Sequence, residues 1–131
     1  MKSKQKNIDP MCSIDYAFRR IGGKYKARIL LYLHRNAVLR YGQLRRSVID
    51  ITPKMLTQTL RELEEDELVQ RTAYSEVPPR VEYTLTDTGI KMIPFIKLLR
   101  EWGDRQMAKA NIPSLAAQEQ ESGEDKITCR N

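Results

Sequence analysis

The order of segments between residues 41 and 85 constrains the fold more than any other feature of the sequence. Residues 41–48 fit a short helix, residues 49–51 a turn, and Thr52-Pro53 the start of a longer helix that runs to about Asp66. Threonine suits the N-cap, where its hydroxyl accepts a hydrogen bond from the first turn, and proline at the first helical position sacrifices no hydrogen bond. A short helix, a brief turn and a longer helix predict a helix-turn-helix.

A β-hairpin is predicted directly after this unit. Residues 69–74 are β-prone, and residues 81–85 alternate apolar with polar side chains, as a half-buried strand does. Between them, Pro78 and Pro79 cannot donate hydrogen bonds to a ladder, so the connection should protrude as a tip. A hairpin at this place makes the predicted fold a winged helix-turn-helix, in the α+β class and mainly helical.

Two helices are predicted before this unit. Ser13 can cap the first, and Gly22-Gly23 can end it. Its apolar positions, on one face at helical spacing, are Ile14, Ala17, Phe18 and Ile21. Residues 24–35 are apolar around most of a helical circumference, so the second helix should be buried.

A last helix, capped by Thr86, has more apolar surface than one small domain would cover. Pro94 is expected to kink this helix or to split off its first turn. Its main apolar stripe consists of Met92, Phe95, Ile96, Leu99 and Trp102, with Ile90, Ile93 and Leu98 beside it. A helix from a second copy of the chain would bury the excess, so a homodimer is expected.

The ends of the chain and its cysteines indicate a cytoplasmic protein. Residues 1–11 are expected to be a flexible segment, residues 12–110 the domain, and residues 111–131 a polar, disordered tail. Residues 1–10 lack the apolar core of a secretory signal, and no apolar run approaches the roughly 18 residues that suggest a membrane span. Cys12 and Cys129 lie far apart and are expected to be free thiols.

Positive charge is concentrated in the first half of the chain. The net charge is +6, which suits nucleic acid, an acidic protein or an anionic membrane as a partner. Residues 16–49 contain no Asp or Glu. They do contain nine basic residues: Arg19, Arg20, Lys24, Lys26, Arg28, Arg35, Arg40, Arg45 and Arg46. A solvated helix face normally mixes both signs, so this segment favours a polyanion.

The helix that starts at Thr52 is predicted to present a polar stripe to DNA. Met55, Leu56, Thr59, Leu60 and Leu63 fall on one face, which is expected to be core. Lys54, Thr57, Gln58 and Arg61 fall on the opposite face. Glutamine can pair with adenine N6 and N7 and arginine with guanine O6 and N7, while lysine can bind phosphate or guanine and threonine the backbone or a thymine methyl.

Other cations are candidates for contacts with DNA phosphates, which set the register without discriminating sequence. They are Lys24, Lys26 and Arg28 on the second helix and Arg45 and Arg46 on the third. Arg80, at the base of the hairpin tip, can enter the minor groove or bind phosphate. It can equally form an ion pair with Glu76.

Several segments together resemble the HxlR-type regulators, a bacterial family related to the MarR-like winged helices. They are Ile21-Gly22-Gly23-Lys24-Tyr25, Tyr41-Gly42-Gln43-Leu44-Arg45-Arg46, residues 52–64, residues 77–86 and Trp102-Gly103. The resemblance covers roughly residues 12–103 in unbroken order. It departs from the family at Tyr25, where a Trp is usual, and at Ser13, where a Pro commonly follows the cysteine.

The resemblance implies a dimeric transcription regulator, repressor or activator, whose helix from Thr52 enters the major groove of double-stranded DNA. It implies that the first and last helices form the dimer, with Ile14, Phe18, Phe95, Leu99 and Trp102 as interface residues. Two-fold symmetry then requires a near-palindromic operator. Cys12 stands where some members have a thiol that senses electrophiles or oxidants, so a small molecule of this kind is a candidate effector.

The sequence argues against an enzyme. His34 is the only histidine and has no Cys, Asp or Glu at the spacing of metal ligands or of a catalytic triad, so a core or interface position is the better interpretation. No cofactor or metal is expected. A winged helix used only for protein contact is the alternative function, because a fold does not fix function.

Overall fold

Five helices and a small three-stranded antiparallel sheet make up residues 8–115. A computed structural model describes residues 8–115. In chain order the elements are α1 (Ser13–Ile21), α2 (Lys26–Asn36), β1 (Leu39–Arg40), α3 (Tyr41–Ser47), α4 (Pro53–Glu65), β2 (Val69–Tyr74), β3 (Arg80–Leu85) and α5 (Asp87–Lys109). This is the winged helix-turn-helix predicted from the sequence, with α3 and α4 as the helix-turn-helix and β2–β3 as the wing.

Helix α2 forms the centre of the core. Residues 29–33 on it are all buried, which confirms the prediction from its apolar circumference. The other four helices within residues 8–115 all pack against it. Leu44 of α3, Leu56 of α4 and Ile93 of α5 are among the buried side chains that meet in this cluster. The position of α4 relative to the rest of the chain is therefore fixed by apolar packing.

The sheet joins the wing to the start of α3. Val69 pairs with Leu85 and Tyr74 with Arg80 at the two ends of the hairpin ladder. On the other side of β3, Leu39 of β1 pairs with Tyr83, which gives the strand order β1-β3-β2. The sequence does not predict β1, because two residues are too few to show a period.

Threonine caps begin two of the helices, as predicted. The Thr52 hydroxyl accepts a hydrogen bond from the backbone N–H of Met55 at 3.1 Å, and the Thr86 hydroxyl accepts one from Gly89 at 3.0 Å. The Thr86 hydroxyl also donates to the carbonyl of Glu67 at 2.6 Å. The start of α5 is therefore attached to the segment that leads from α4 into the wing.

Helix α4 ends in a Schellman motif with Glu67 at its left-handed position. The N–H of Leu68 donates to the carbonyl of Leu63, and the N–H of Glu67 donates to that of Glu64, both at 3.0 Å. Glu67 has a φ of 60°. Glycine is the usual residue at this position because it has no Cβ to clash with the backbone.

Three predictions about helix boundaries are wrong. Ser13 does not cap α1, because it already lies within the helix, and Cys12 occupies the N-cap with an extended backbone. Helix α2 starts at Lys26, two residues later than expected. Of the two effects expected of Pro94, a kink or a separate first turn, the separate first turn is wrong, because α5 is one helix. Pro94 lies on an exposed side of α5, where water can solvate the carbonyl that lacks its N–H partner.

Some predictions concern residues that the structure does not describe. The flexible segment at 1–11 and the polar tail at 111–131 fall largely outside residues 8–115, and Cys129 lies outside them as well. Helix α5 ends at Lys109 in a second Schellman arrangement, with Asn111 at φ 58°. Asparagine tolerates this backbone conformation better than most residues do.

Candidate nucleic-acid interface

Helix α4 presents the predicted polar stripe to solvent. Lys54, Thr57, Gln58 and Arg61 are all exposed, while Leu56, Leu60 and Leu63 on the other side are buried. The four polar positions fall within about 100° of arc on the helix. The stripe therefore forms one continuous strip of donors and acceptors along α4.

Met55 departs from the prediction, which placed it on the core face with Leu56. Its side chain is 42% exposed. The residue lies in the first turn of α4, next to the buried Leu56. Thr59, predicted for the same face, is buried as expected.

The Tyr41 hydroxyl connects the start of α3 to the first turn of α4. It donates to the carbonyl of Pro53 at 3.1 Å and lies 3.0 Å from the Thr57 hydroxyl. Because the single proton of Tyr41 goes to Pro53, Thr57 acts as the donor in the second contact. The hydroxyl of Thr57 is therefore engaged by Tyr41, although the residue as a whole is exposed. Sequence reasoning missed this contact, which has no local signal.

Gln58 has a partner on its own helix. Its side-chain Nε2 donates to Oε2 of Glu62 at 2.8 Å, and Oε1 of the same carboxylate lies 3.2 Å from Nζ of Lys26. The hydrogen bond from Gln58, followed by that from Lys26, lowers the pKa of Glu62. Lys26, predicted as a phosphate contact, is thus an internal ion-pair partner, and its Nζ also donates to the carbonyl of Arg19 at 3.1 Å.

Asp50, in the turn between α3 and α4, binds two of the predicted DNA-facing cations. Its carboxylate lies 3.2 Å from Nζ of Lys24 and 2.9 Å from Nη2 of Arg28. The hydrogen bond from Arg28 is the main cause of a lowered pKa at Asp50. Tyr25 adds a hydrogen bond from its hydroxyl to the Asp50 carbonyl at 3.0 Å. Acidic residues outside residues 16–49 therefore compensate part of the positive charge of that segment.

Four predicted DNA-facing cations are exposed and have no acidic partner within residues 8–115. They are Arg45 and Arg46 at the end of α3, and Lys54 and Arg61 on α4. Their positive charge therefore faces solvent without a compensating carboxylate from residues 8–115. Lys54 and Arg61 belong to the polar stripe, and Arg45 and Arg46 lie on the helix that precedes α4.

Arg80 is held within the wing. Its guanidinium lies 2.9 Å from Glu76 and 3.4 Å from Glu82, and it stacks 4.0 Å from the centre of the Tyr74 ring. Of the two roles left open by the sequence, the ion pair with Glu76 is present. Val77 at the tip is fully exposed. The wing therefore ends in an apolar tip above a neutralised arginine.

Helices α1 and α5 line an apolar groove on another side of the molecule. Ile14 is 62% exposed, Phe95 61% and Trp102 60%, although all three are large apolar side chains. The groove is lined by these residues together with Ser13, Ala17, Phe18, Ile21, Met92, Leu98 and Leu99. The five residues predicted for a dimer interface all lie in it. A single chain leaves this surface in contact with water.

Cys12 lies at the N-terminus of α1, beside the groove, and is exposed. The backbone N–H groups of Asp15 and Ile14 stabilise its thiolate, so the pKa of Cys12 is lowered. His34 is exposed, and the core position considered for it is wrong. Over residues 8–115, no helix combines the length and the apolar character needed to cross a membrane.

Comparison with known proteins identifies relatives of the chain. The family model described as HxlR-like helix-turn-helix matches residues 20–111. An uncharacterised HTH-type transcriptional regulator of Methanothermobacter thermautotrophicus is 47% identical over 93 residues, which are 71% of this chain and 70% of that protein. The uncharacterised HTH-type transcriptional regulator YtcD of Bacillus subtilis is 35% identical over 127 residues, 97% of each chain. The solved structure of the redox regulator HypR in its reduced form gives a TM-score of 0.71 at 35% identity, covering 76% of this chain and 98% of that one.

Proposed function

The chain belongs to the HxlR-like helix-turn-helix family of transcriptional regulators, and we propose that it binds double-stranded DNA at specific sequences. One observation supports this proposal most directly: the stripe of Lys54, Thr57, Gln58 and Arg61 is exposed along α4, opposite a buried face. An α-helix fits the major groove of B-DNA, where each base pair presents its own pattern of donors and acceptors.

The proposed base contacts come from the middle of α4. Gln58 would pair with an adenine and Arg61 with a guanine, each through two hydrogen bonds. The Thr57 hydroxyl is engaged by Tyr41, so its methyl group would face a thymine methyl. Lys54 lies in the first turn of α4, where its positive charge is repelled by the positive end of the helix dipole. A DNA phosphate bound at that end of the helix would offset the repulsion.

The proposed phosphate contacts come first from Arg45 and Arg46. They are exposed and without acidic partners in the described part of the chain, so they can approach phosphate at no cost in lost ion pairs. Lys24, Lys26 and Arg80 would bind phosphate only by leaving Asp50, Glu62 or Glu76. The wing tip would lie against the DNA backbone or in the minor groove.

The test is selection of bound duplexes from a random-sequence library by the full chain, followed by affinity measurements on the enriched sequence. Gln58→Ala and Arg61→Ala should each abolish the preference for one base over the others at a single base pair of the enriched sequence. The binding free energy that separates the preferred base from the others should fall by about 1 to 3 kcal/mol at that base pair. Arg45→Ala should lower the affinity for all DNA sequences by the same factor. Binding without any enriched sequence would instead favour the protein-contact module.

We also propose that the regulator acts as a homodimer through the groove between α1 and α5. Ile14, Phe18, Phe95, Leu99 and Trp102 would be covered by the same residues of the partner. Exposed apolar patches of this kind mark interaction surfaces. A two-fold axis here would set two α4 helices about 34 to 36 Å apart and require a near-palindromic operator.

Light scattering tests the dimer. Phe95→Glu places a charge in the groove and should give a monomer with weakened operator binding, because only one half-site is then contacted. Val38→Glu is the matched control, since Val38 is also exposed and apolar but lies outside the groove. A monomeric wild-type protein at micromolar concentration would contradict the proposal.

A second candidate function is regulation through Cys12. Its thiol is exposed and its pKa is lowered, which are the properties of reactive cysteines. Diamide would convert the Cys12 thiols of two protomers to one disulfide between the protomers, and diamide itself takes up the two electrons and two protons. In a Cys129→Ser background, diamide should change operator affinity, by about 5- to 150-fold if the coupling is typical. The double variant with Cys12→Ser should not respond, and an unresponsive Cys129→Ser protein would exclude the idea.

A further inference from the structure

We propose that Glu62, held by Lys26, is a specificity-determining residue that orients the Gln58 amide so that α4 prefers adenine over guanine. This inference rests on the proposed function, because it concerns how one side chain of the polar stripe meets a base. Glu62 itself would not touch DNA. It would be a positioning residue, acting through Gln58.

The two oxygens of the Glu62 carboxylate have separate partners. Oε1 lies 3.2 Å from Nζ of Lys26, and Oε2 accepts the hydrogen bond from Nε2 of Gln58 at 2.8 Å. Lys26 is fixed in turn, because its Nζ donates to the carbonyl of Arg19 at the end of α1. The side chain of Lys26 is only 15% exposed, whereas that of Glu62 is 41% exposed, so Lys26 holds a carboxylate that is still accessible from solvent.

The chemistry of the carboxylate determines which way the Gln58 amide faces. An ionised carboxylate only accepts hydrogen bonds, so it must face the NH₂ group of Gln58 and not its carbonyl oxygen. Oε1 of Gln58 is thereby turned away from Glu62. One N–H of Nε2 is used by Glu62, and the other remains available.

A Gln58 amide fixed in this way matches adenine better than guanine. Adenine presents an acceptor at N7 and a donor at N6, which pair with the remaining N–H and with Oε1. Guanine presents two acceptors, N7 and O6, so one of them would face Oε1 and repel it. A free amide could turn and lessen this repulsion. Fixing the amide therefore adds to the discrimination between the two purines.

Glu62→Gln is the sharpest test, because it keeps the shape of the side chain and reverses its hydrogen bonding toward Gln58. The ammonium group of Lys26 can only donate hydrogen bonds, so it would bind the carbonyl oxygen of the substituted side chain. The new NH₂ group at position 62 would then face Gln58. The Gln58 amide would then turn its own oxygen inward. Glu65→Gln is the matched control, since Glu65 is exposed on the same helix and has no ion pair within residues 8–115.

The experiment selects duplexes from a random-sequence library with the full wild-type chain, and Gln58→Ala then identifies the base pair that Gln58 contacts. At that base pair we expect Glu62→Gln to lower the adenine-over-guanine affinity ratio by at least about fivefold, the lower end of what one bidentate contact discriminates. Glu65→Gln should leave the ratio unchanged. Both variants remove one negative charge, so a general gain in DNA affinity cancels in the comparison.

The outcomes separate this inference from the proposed function. If the wild type enriches no sequence, the proposed function fails. If it enriches a sequence but Gln58→Ala alters no base pair, the base contact proposed for Gln58 fails together with this inference, while sequence-specific binding stands. If Glu62→Gln keeps the wild-type ratio, only the present inference is overturned. Thermal unfolding of each variant verifies that the fold is intact before ratios are compared.

Discussion

At the scale of single residues, Glu67 has an unfavourable backbone conformation that the fold requires. Its φ of 60° completes the Schellman motif at the end of α4, and both hydrogen bonds of the motif are present. The left-handed conformation costs a residue with a Cβ about 1 to 2 kcal/mol. Leu68, the next residue, is buried, so the chain cannot relax without losing a core side chain.

Glu67→Gly should therefore stabilise the protein. We expect the free energy of unfolding to rise by about 1 kcal/mol, because the relief of strain exceeds the entropy that glycine adds to the unfolded chain. Chemical denaturation at a fixed protein concentration measures the change. Glu64→Gly, within α4, should lower stability by a similar amount. If Glu67→Gly lowered the free energy of unfolding as much as Glu64→Gly does, the backbone at Glu67 would not be strained.

Cys12 provides a prediction on pH at the same scale. Since backbone N–H groups of α1 lower the pKa of its thiol, the thiolate should form at lower pH than in an ordinary cysteine, whose pKa is about 8.5. In Cys129→Ser protein, the rate of alkylation by iodoacetamide should reach half its plateau below that pH. The same protein unfolded in denaturant is the reference. Coincident profiles for the two would contradict the assigned role of the helix terminus.

Side-chain contacts could be predicted from the sequence where the two partners are close together in the chain. Thr52 and Thr86 cap helices that begin at the next residue, so sequence spacing alone identifies both. The partners of Lys24 and Lys26 were not predictable, because Asp50 and Glu62 are distant in sequence and meet these cations only after α3 and α4 pack against α2. The polar stripe could be located from the helical period, but the contacts that Tyr41 makes with Thr57 and Lys26 with Glu62 could not, because each joins two different helices.

At the scale of elements, the turn between α3 and α4 is fastened to the start of α2 through Asp50. Asp50→Asn should lower the free energy of unfolding at neutral pH by about 0.5 to 1 kcal/mol, as expected for a partly exposed ion pair. The folded-state pKa is depressed, so the contribution is complete above the unfolded-state pKa of about 3.9 and is lost as pH falls through the folded-state pKa. The difference in free energy of unfolding between the wild type and Asp50→Asn should accordingly become smaller only at acidic pH. Glu64→Gln serves as the control.

The end of α3 and the start of α2 should contribute differently to DNA binding. Arg45→Ala should reduce the slope of log affinity against log salt by about 1 for each phosphate contact removed. Lys24→Ala removes the same charge but one that is paired with Asp50, so the slope should change little. Binding measured across a salt series distinguishes the two. Equal slopes for both variants would mean that Lys24 leaves Asp50 to bind phosphate.

The elements themselves were largely predictable from period and caps. The wing and α4 were identified to within about a residue, because Thr52-Pro53 and the proline pair mark their limits. Strand β1 was not, since its extended backbone depends on pairing with β3 and not on its own residues. The continuity of α5 through Pro94 likewise depends on which side of the helix faces water.

At the scale of the whole molecule, α5 is joined to the wing at a close contact. Gly89 packs so tightly against the carbonyl of Leu68 that a Cβ on Gly89 would overlap the oxygen. Thr86 reinforces the junction, since its N–H donates to the same carbonyl at 3.1 Å. The helix that lines the groove is therefore rigidly connected to the hairpin.

Gly89→Ala should destabilise the fold by about 1 to 3 kcal/mol, because the overlap involves backbone and cannot be relieved by turning a side chain. Gly103→Ala is the matched control in the same helix, where a Cβ would have no neighbour within 4 Å. That variant should raise stability by about 0.5 to 1 kcal/mol. Thermal or chemical unfolding measures both, and a neutral Gly89→Ala would show that the junction can open.

Because α5 is a single helix of 23 residues, it can act as a lever arm between the groove and the wing. From Trp102 to its N-terminus the arm is about 22 Å long at 1.5 Å per residue. A tilt of about 10° at Trp102 would then swing the wing by about 4 Å, more than the 3.4 Å rise of one DNA step. Since Ile93 and Ile96 fix the middle of α5 in the core, a change in packing beside Trp102 would shift the wing and the core together relative to the DNA helical repeat.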